Sequence, residues 1–182
     1  MTMMIQCRSM RAALMSGIAL IGVLLAPFAI TAQDRTLCPV AVPGALVIYG
    51  DVAEPVALTA AQLSELPQSS AEGTSHSGEV STYRGPALQA VLAEADLPSG
   101  ADMRGNHMLR YVVVEAVDGY RALYSLAELD PVFRTPSPIL AMERDGVALD
   151  ADAGPFQIIA PGEQRHSRCV RQVACLRIAR DP

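Results

Sequence analysis

The sequence predicts an α+β fold with mixed or antiparallel β-sheets and a few short helices. Segments with strand character outnumber those with helical character, and the two types do not alternate along the chain as they do in doubly wound proteins. The chain has 182 residues without an internal repeat, and no linker divides residues 33–182. We therefore expect a single domain over residues 33–182.

The N-terminal segment 1–32 has the layout of a secretory signal peptide. Two arginines precede the apolar stretch 12–30, and small residues lead to a cleavage site after Ala32. A membrane anchor is the alternative, since this stretch approaches the length that spans a bilayer. We favour cleavage, and we expect the remaining chain to be periplasmic or secreted with no further membrane span.

The charge balance of the chain is acidic, with a formal net charge of −5. The signal segment contains two arginines and no acidic residue, so the remaining chain is more acidic still. Such a protein is a poor general ligand for nucleic acids or anionic membrane surfaces. We expect no nucleic-acid partner.

Two short helices are predicted from their boundaries and periodicity. Thr59 is placed to cap the first helix, and Pro67 ends it. Pro86 stands where the first turn of the second helix would begin. The apolar face of that second helix consists of Leu88, Val91, Leu92 and Ala95.

The remaining pattern is that of strands. The β-branched stretch 107–119 predicts a central strand, and the Asp118–Gly119 turn leads into residues 120–126 as its hairpin partner. Ser125 is placed to cap a short helix. Four further strands are predicted in the stretches 44–52, 137–146, 156–162 and 169–179. Between the two helices, the segment 69–88 is polar and rich in Ser and Gly, and we expect it to be a loop that ends at the second helix.

Three cysteines remain after residue 32, and an exported protein permits disulfides. If Cys169 and Cys175 lie on one extended strand, they are roughly 20 Å apart and cannot bond to each other. Cys175 alternates with apolar residues and so faces outward, where an N-terminal arm carrying Cys38 could cover it. We expect the pair Cys38–Cys175; Cys38–Cys169 and three unpaired thiols are the alternatives.

Most catalytic signatures are absent from the sequence. There is no dinucleotide-binding GxGxxG, no P-loop, no GxSxG and no HExxH. The set His76, His166, Cys169 and Cys175 has a spacing that matches no common zinc pattern. We expect no metal site from these residues.

Three stretches carry a resemblance to a known family. They are "TYRGPALQAVLAEADL" (82–97), "VDGYRALYSLAELD" (117–130) and "RDGVALDADAGPFQIIAPGEQRHSRCVRQVACLRI" (144–178). Together and in this order they resemble the oxidoreductase molybdopterin-binding domain, the fold of sulfite oxidase and its bacterial relatives. The resemblance covers roughly residues 44–179, and the chain looks most like the short, stand-alone exported members.

The resemblance implies molybdopterin as cofactor and a cysteine thiolate as the ligand of molybdenum. In that family the cysteine lies in the polar loop that leads to the Y-x-G element, and the corresponding loop here is the segment 69–85. This segment contains Ser75, His76 and Ser77 but no cysteine. From the residues themselves we therefore expect no cofactor, no bound metal and no catalytic residue.

The family's cofactor-facing loops correspond to three polar loops of this chain. As cofactor-binding or ligand-binding candidates they provide His76, Tyr83, Arg84, Asp118, Tyr120, Arg165, His166 and Arg168. The arginines and His166 could bind an anion such as a phosphate or sulfo group. The alternative for each is structural: a turn at Asp118, and solvated charges at residues 165–168.

Three functions fit these features. The first is a non-catalytic ligand-binding or accessory module, with a small anionic ligand or a membrane-bound signalling or electron-transfer partner. The second is an active molybdopterin-dependent oxidoreductase for a small oxyanion or a sulfoxide-type substrate, with an unusual metal ligand. The third is a structural or protein-interaction domain without a small ligand. The missing cysteine favours the first.

Overall fold

The protein is described here by a computed structural model, which covers residue 38 and residues 42–74 and 78–181. The described residues belong to one compact unit. The signal segment 1–32 lies outside them, as does His76. Within the described part of the chain, every helix is too short or too polar to cross a bilayer.

The described part of the chain forms three sheets and two short α-helices. In chain order the elements are β1 (Ala45–Gly50), β2 (Val56–Thr59), α1 (Ala60–Glu65), β3 (Gln68–Thr74), β4 (Val80–Pro86), α2 (Leu88–Ala93), β5 (Arg110–Ala116), β6 (Arg121–Ser125), β7 (Ile139–Ala141), β8 (Glu143–Arg144), β9 (Val147–Ala148), β10 (Gln157–Ile159) and β11 (Val173–Arg180). Short 3₁₀ turns occur at Gly100–Asp102, Gly105–Leu109, Ala127–Leu129 and His166–Arg168. The predicted α+β class with few short helices is confirmed.

The largest sheet has the order β2-β1-β11-β5-β6. Only the β1–β11 pair of this sheet is parallel, and the other pairs are antiparallel, so the sheet is mixed as predicted. The second sheet has the order β3-β4-β8-β9 and the third pairs β10 with β7. A bridge between Ala87 and Ile139 links the second and third sheets.

Several sequence predictions match these elements. Thr59 caps α1 with a reciprocal pair of hydrogen bonds to Gln62, and the helix ends before Pro67. The central strand β5 and its partner β6 are joined at the Asp118–Gly119 turn. The Ser125 hydroxyl accepts a hydrogen bond from the backbone N–H of Glu128 at 3.2 Å, as expected of a cap for the 3₁₀ turn.

The segment 69–88 differs from its prediction, because it forms the β3–β4 hairpin rather than a loop. Seven residue pairs join the strands, from Gln68 opposite Pro86 to Thr74 opposite Val80. Pro86 ends β4, and the helix begins only at Leu88. The hairpin forms despite its polar composition because Ala71 and Tyr83 are buried against the β7–β10 sheet, which overrides local propensity.

The last strand also begins later than predicted, at Val173 instead of Cys169. Cys169 closes the 3₁₀ turn that precedes β11, and its backbone N–H donates to the His166 carbonyl oxygen at 2.9 Å. Cys38 and Cys175 form a disulfide with a Cα–Cα distance of 5.9 Å. This is the pairing that we expected from the sequence, and the alternative partner, Cys169, is a free thiol.

The outer face of the large sheet carries a buried carboxylate. Glu115 on β5 is 2% exposed. It accepts a hydrogen bond from the Tyr49 hydroxyl at 2.9 Å, and the guanidinium groups of Arg121 and Arg177 lie 3.3 and 3.5 Å away. Four neighbouring strands therefore converge on one negative charge, which is compensated by two positive charges and a hydroxyl donor.

This cluster predicts a fall in stability at high pH. Burial, followed by the hydrogen bond to Glu115, raises the pKa of Tyr49 to about 12. An unfolded tyrosine loses its proton near pH 10, so the stabilisation is complete below that pH and is lost between about pH 10 and 12. We expect urea unfolding at stepped pH to show this fall, and Tyr49→Phe to reduce it. An identical slope in both proteins would contradict the assignment.

Candidate functional site

A cleft of about 340 Å³ opens beside the β3–β4 hairpin. It lies between this hairpin, the β9–β10 connection and the segment that runs from the His166–Arg168 turn towards β11. Its lining residues are Gly73, Thr74, Tyr83, Arg144, Asp150, Asp152, Ala153, Gln157, Ile159, His166, Cys169 and Arg171. This volume lies within the usual range for small-molecule sites.

The inner part of the cleft contains an unpaired amide. Ile158 on β10 belongs to the main core, whereas Ile159 belongs to the small core that includes Tyr83. Because side chains alternate along a strand, Gln157 shares the face of Ile159 and points towards the cleft. Gln157 is 7% exposed, and its side-chain amide makes no hydrogen bond to any described residue. Its donors and its acceptor therefore face the cleft and are free to pair with a polar ligand there.

Two of the charges on one wall of the cleft neutralise one another. Arg144 lies 3.3 Å from the Asp150 carboxylate. The other oxygen of Asp150 accepts hydrogen bonds from the backbone N–H groups of Asp152 and Ala153, at 3.1 and 3.0 Å. This arrangement orders the β9–β10 connection and leaves the carboxylate of Asp152, which has no ion pair among the described residues, as the remaining charge at that wall.

Arg171 provides a second positive charge at the cleft, beside that of Arg144. It is exposed at the cleft and makes no ion pair or side-chain hydrogen bond with the described residues. A guanidinium group with free donors is suited to bind a carboxylate or phosphate through paired hydrogen bonds. Together with the Gln157 amide it defines a polar cleft with an anion-binding end.

Hydrogen bonds from two tyrosine hydroxyls fix the turn that carries His166. The hydroxyl of Tyr120 donates to the Ser167 carbonyl oxygen, and that of Tyr124 donates to the Arg168 carbonyl oxygen. The Arg168 guanidinium lies 4.5 Å above the Tyr124 ring. These contacts attach the turn to β6 and fix the position of His166 at the cleft.

Arg168 therefore has a structural role in the turn. Its guanidinium pairs with Glu128 at 3.1 Å and also with Glu163. Arg134 lies between the same two carboxylates, at 3.8 Å from Glu128 and 3.5 Å from Glu163. Since its donors are used within this network, Arg168 is not available as the anion ligand that the sequence suggested.

The structure brings together two of the predicted site residues, Tyr83 and His166, which both line the cleft. The other predicted residues that the structure describes do not line the cleft. Arg84 is on the outside of the hairpin, 3.5 Å from Glu143, and Arg165 is exposed before the turn and does not line the cleft. His76 lies outside the described residues.

Asp118 and Tyr120 stabilise turns near the cleft. The Asp118 carboxylate accepts a hydrogen bond from the Tyr120 backbone N–H at 2.8 Å, which closes the β5–β6 turn. Neither residue lines the cleft. Asp118 therefore closes a turn, which was the structural alternative for this residue. Tyr120 contacts the His166–Arg168 turn.

The cleft residues that sequence reasoning missed include Gln157, Cys169 and Arg171. Gln157 had a signal, since it is a lone amide within the apolar run "FQIIA". Cys169 and Arg171 were predicted to belong to the last strand. Because that strand begins only at Val173, both residues lie before it and line the cleft.

Cys169 is a half-buried thiol at the edge of the cleft. Burial raises its pKa, while the Ala160 backbone N–H and the positive charge of Arg168 oppose this shift. Its reactivity at neutral pH is therefore lower than that of an exposed cysteine. Among the described residues, no group of three His, Cys, Asp or Glu side chains is arranged to hold a metal ion.

The described residues of the cleft do not fit a molybdenum centre of the kind that the family resemblance implies. The ligand implied by that resemblance is a cysteine thiolate, and the β3–β4 hairpin provides none. The sulfur that the cleft does contain belongs to Cys169, on the opposite wall, with a raised pKa. The residues present fit an organic anion better than a metal.

The fold is similar to that of a solved protein structure. No protein-family model matches the chain, and no curated protein matches it. Among solved structures, the sulfane dehydrogenase SoxCD from Paracoccus pantotrophus is similar with a TM-score of 0.56 at 18% sequence identity. The match covers 74% of this chain and 37% of that chain, so this protein spans well under half of its neighbour's length. At this identity the likeness shows the fold alone, and it agrees with the α+β architecture predicted from the sequence.

Proposed function

We propose that this protein is an exported, non-catalytic module of the sulfite-oxidase-like fold that binds a small anionic ligand in its cleft. The side-chain amide of Gln157 carries the proposal, because its donors and its acceptor face the cleft and are free to pair with a polar ligand. Arg171 adds a positive charge at the same cleft. The two groups together favour a ligand with an anionic end and a hydrogen-bonding end.

Two features support a binding role without catalysis. The hairpin that would provide the metal thiolate contains no cysteine. The ion pairs of Arg168 with Glu128 and Glu163 hold the turn that carries His166 in place beside the cleft. The signal segment and the Cys38–Cys175 disulfide support export to the periplasm or medium. There, a membrane-bound signalling or electron-transfer protein is the proposed partner.

Binding of inorganic phosphate, measured by isothermal titration calorimetry, tests this function. We expect Arg171→Gln and Gln157→Leu each to weaken the affinity about tenfold, the effect of losing one charge-assisted or one buried hydrogen bond. Arg104→Gln is the matched control, since Arg104 is exposed and does not line the cleft. Equal affinities in all four proteins, or no binding at all, would exclude the cleft as an anion site.

A molybdopterin-dependent oxidoreductase is the second candidate, and the sulfur of Cys169 within the cleft favours it. Metal analysis of protein purified from its native host separates the two functions. We expect no stoichiometric molybdenum. Molybdenum at one equivalent, lost in Cys169→Ser, would overturn the non-catalytic assignment and establish Cys169 as the ligand.

A further inference from the structure

Cys169 is placed so that a molecule bound in the cleft can reach its thiol. It lines the cleft together with His166 and Arg171 and is only half buried. The other two cysteines among the described residues, Cys38 and Cys175, are bonded to each other. Cys169 is therefore the free thiol of the described part of the chain.

A second observation, independent of the thiol, indicates that this cleft receives a ligand. Gln157 is 7% exposed and its amide has no partner among the described residues, yet it faces the same cleft. An amide of this kind pairs well with another amide or a carboxylate, which offers both donors and acceptors. Arg171 favours a carboxylate nearby. The partner that fits both groups is small, amide-bearing and anionic.

We propose that Cys169 captures a small anionic disulfide by thiol–disulfide exchange, so that half of the molecule remains in the cleft as a mixed disulfide. This proposal rests on the anion-binding function proposed above. Arg171 and Gln157 hold the carboxylate and amide groups of the disulfide, and Cys169 supplies the sulfur. The cleft thus selects among disulfides by their charge.

The exchange balances without any further reagent. The Cys169 thiol first loses its proton to water, and the thiolate attacks one sulfur of the disulfide. A bond forms between Cys169 Sγ and that sulfur as the original sulfur–sulfur bond breaks. The second half of the molecule leaves as a thiolate with the bonding electron pair and takes a proton from water. Cys169 is oxidised and the disulfide is reduced by the same two electrons.

Three disulfides of different charge test the selection. The full chain, with Cys38–Cys175 intact, is incubated with oxidised glutathione, with neutral 2-hydroxyethyl disulfide and with cationic cystamine. Peptide mass mapping follows the adduct at Cys169 and separates it from any adduct at Cys7. We expect oxidised glutathione to react at Cys169 about tenfold faster than cystamine, as one charge-assisted contact predicts. Because burial slows this thiol, the ratio of rates rather than the absolute rate is the readout.

Variants connect this ratio to the cleft. Arg171→Gln is expected to remove most of the preference for oxidised glutathione, whereas Arg104→Gln retains it. Equal rates for the three disulfides, a ratio unaffected by Arg171→Gln, or no adduct at Cys169 would each overturn the proposal.

Cys169→Ser separates this proposal from the function on which it depends. If Cys169→Ser and the unmodified protein bind phosphate alike but no selective adduct forms, covalent capture is wrong and anion binding stands. If phosphate does not bind and the three disulfides react equally, both are wrong.

Discussion

Breaking the Cys38–Cys175 disulfide is expected to lower the free energy of unfolding by about 5 kcal/mol. The bond joins residues separated by 137 positions, and the chain-entropy model gives this magnitude for so long a loop. The loss also uncovers a small cluster on the outer sheet face, where Cys38 packs with Val47 and Cys175. The measurement is urea unfolding of Cys38→Ala/Cys175→Ala beside the unmodified protein.

Cys169→Ser provides the control for reductant effects, because its disulfide is intact while its free thiol is gone. Reductant should destabilise both the unmodified protein and Cys169→Ser, and it should not change Cys38→Ala/Cys175→Ala further. A destabilisation below about 1 kcal/mol would mean that the N-terminal arm contributes little and that the bond is dispensable.

Gly85→Ala is expected to destabilise the protein by about 3 kcal/mol or more and to prevent correct assembly of the cleft. A Cβ at this position would lie 1.9 Å from the Leu140 carbonyl oxygen and 2.9 Å from the Ala141 Cα. Both contacts are with backbone, so no side chain can move aside, and overpacking of this severity exceeds the usual range of 1–3 kcal/mol, roughly. Thermal unfolding and phosphate binding measure the two effects.

Gly146→Ala is the matched control in the same sheet. Gly146 has φ +80 and nothing within 4 Å of an added Cβ, so it reports backbone strain without a clash. We expect Gly146→Ala to cost about 1 kcal/mol and to leave the affinity for phosphate unchanged. Equal stability of the two variants would show that packing of the hairpin against β7 does not depend on the close approach of Gly85 to the β7 backbone.

Local signals with a clear physical cause were sufficient to predict much of the fold. The Asp118–Gly119 turn after a β-branched stretch predicted the β5–β6 hairpin, and Thr59 predicted the start of α1. In each case the determining contacts lie within a few residues, so the sequence contains them directly.

The parts that could not be predicted depend on distant contacts. The hairpin at residues 68–86 is polar, and only its packing on β7 and β10 makes it a strand pair. Arg168 and Arg171 lie three positions apart in one basic stretch. The sequence does not show that Arg168 forms ion pairs and that Arg171 forms none with the described residues. What separates them is the position of Glu128 and Glu163, which only the folded chain reveals.

The two walls of the cleft are attached to different sheets. The wall with His166 is tied to β6 by the hydroxyls of Tyr120 and Tyr124, whereas the facing hairpin is attached to β7 at Gly85. Local opening of the hairpin would therefore widen the entrance while the opposite wall keeps its shape. A ligand that contacts both walls would bridge two separately anchored parts of the molecule, and hydrogen exchange in β3 and β4 would slow when it binds.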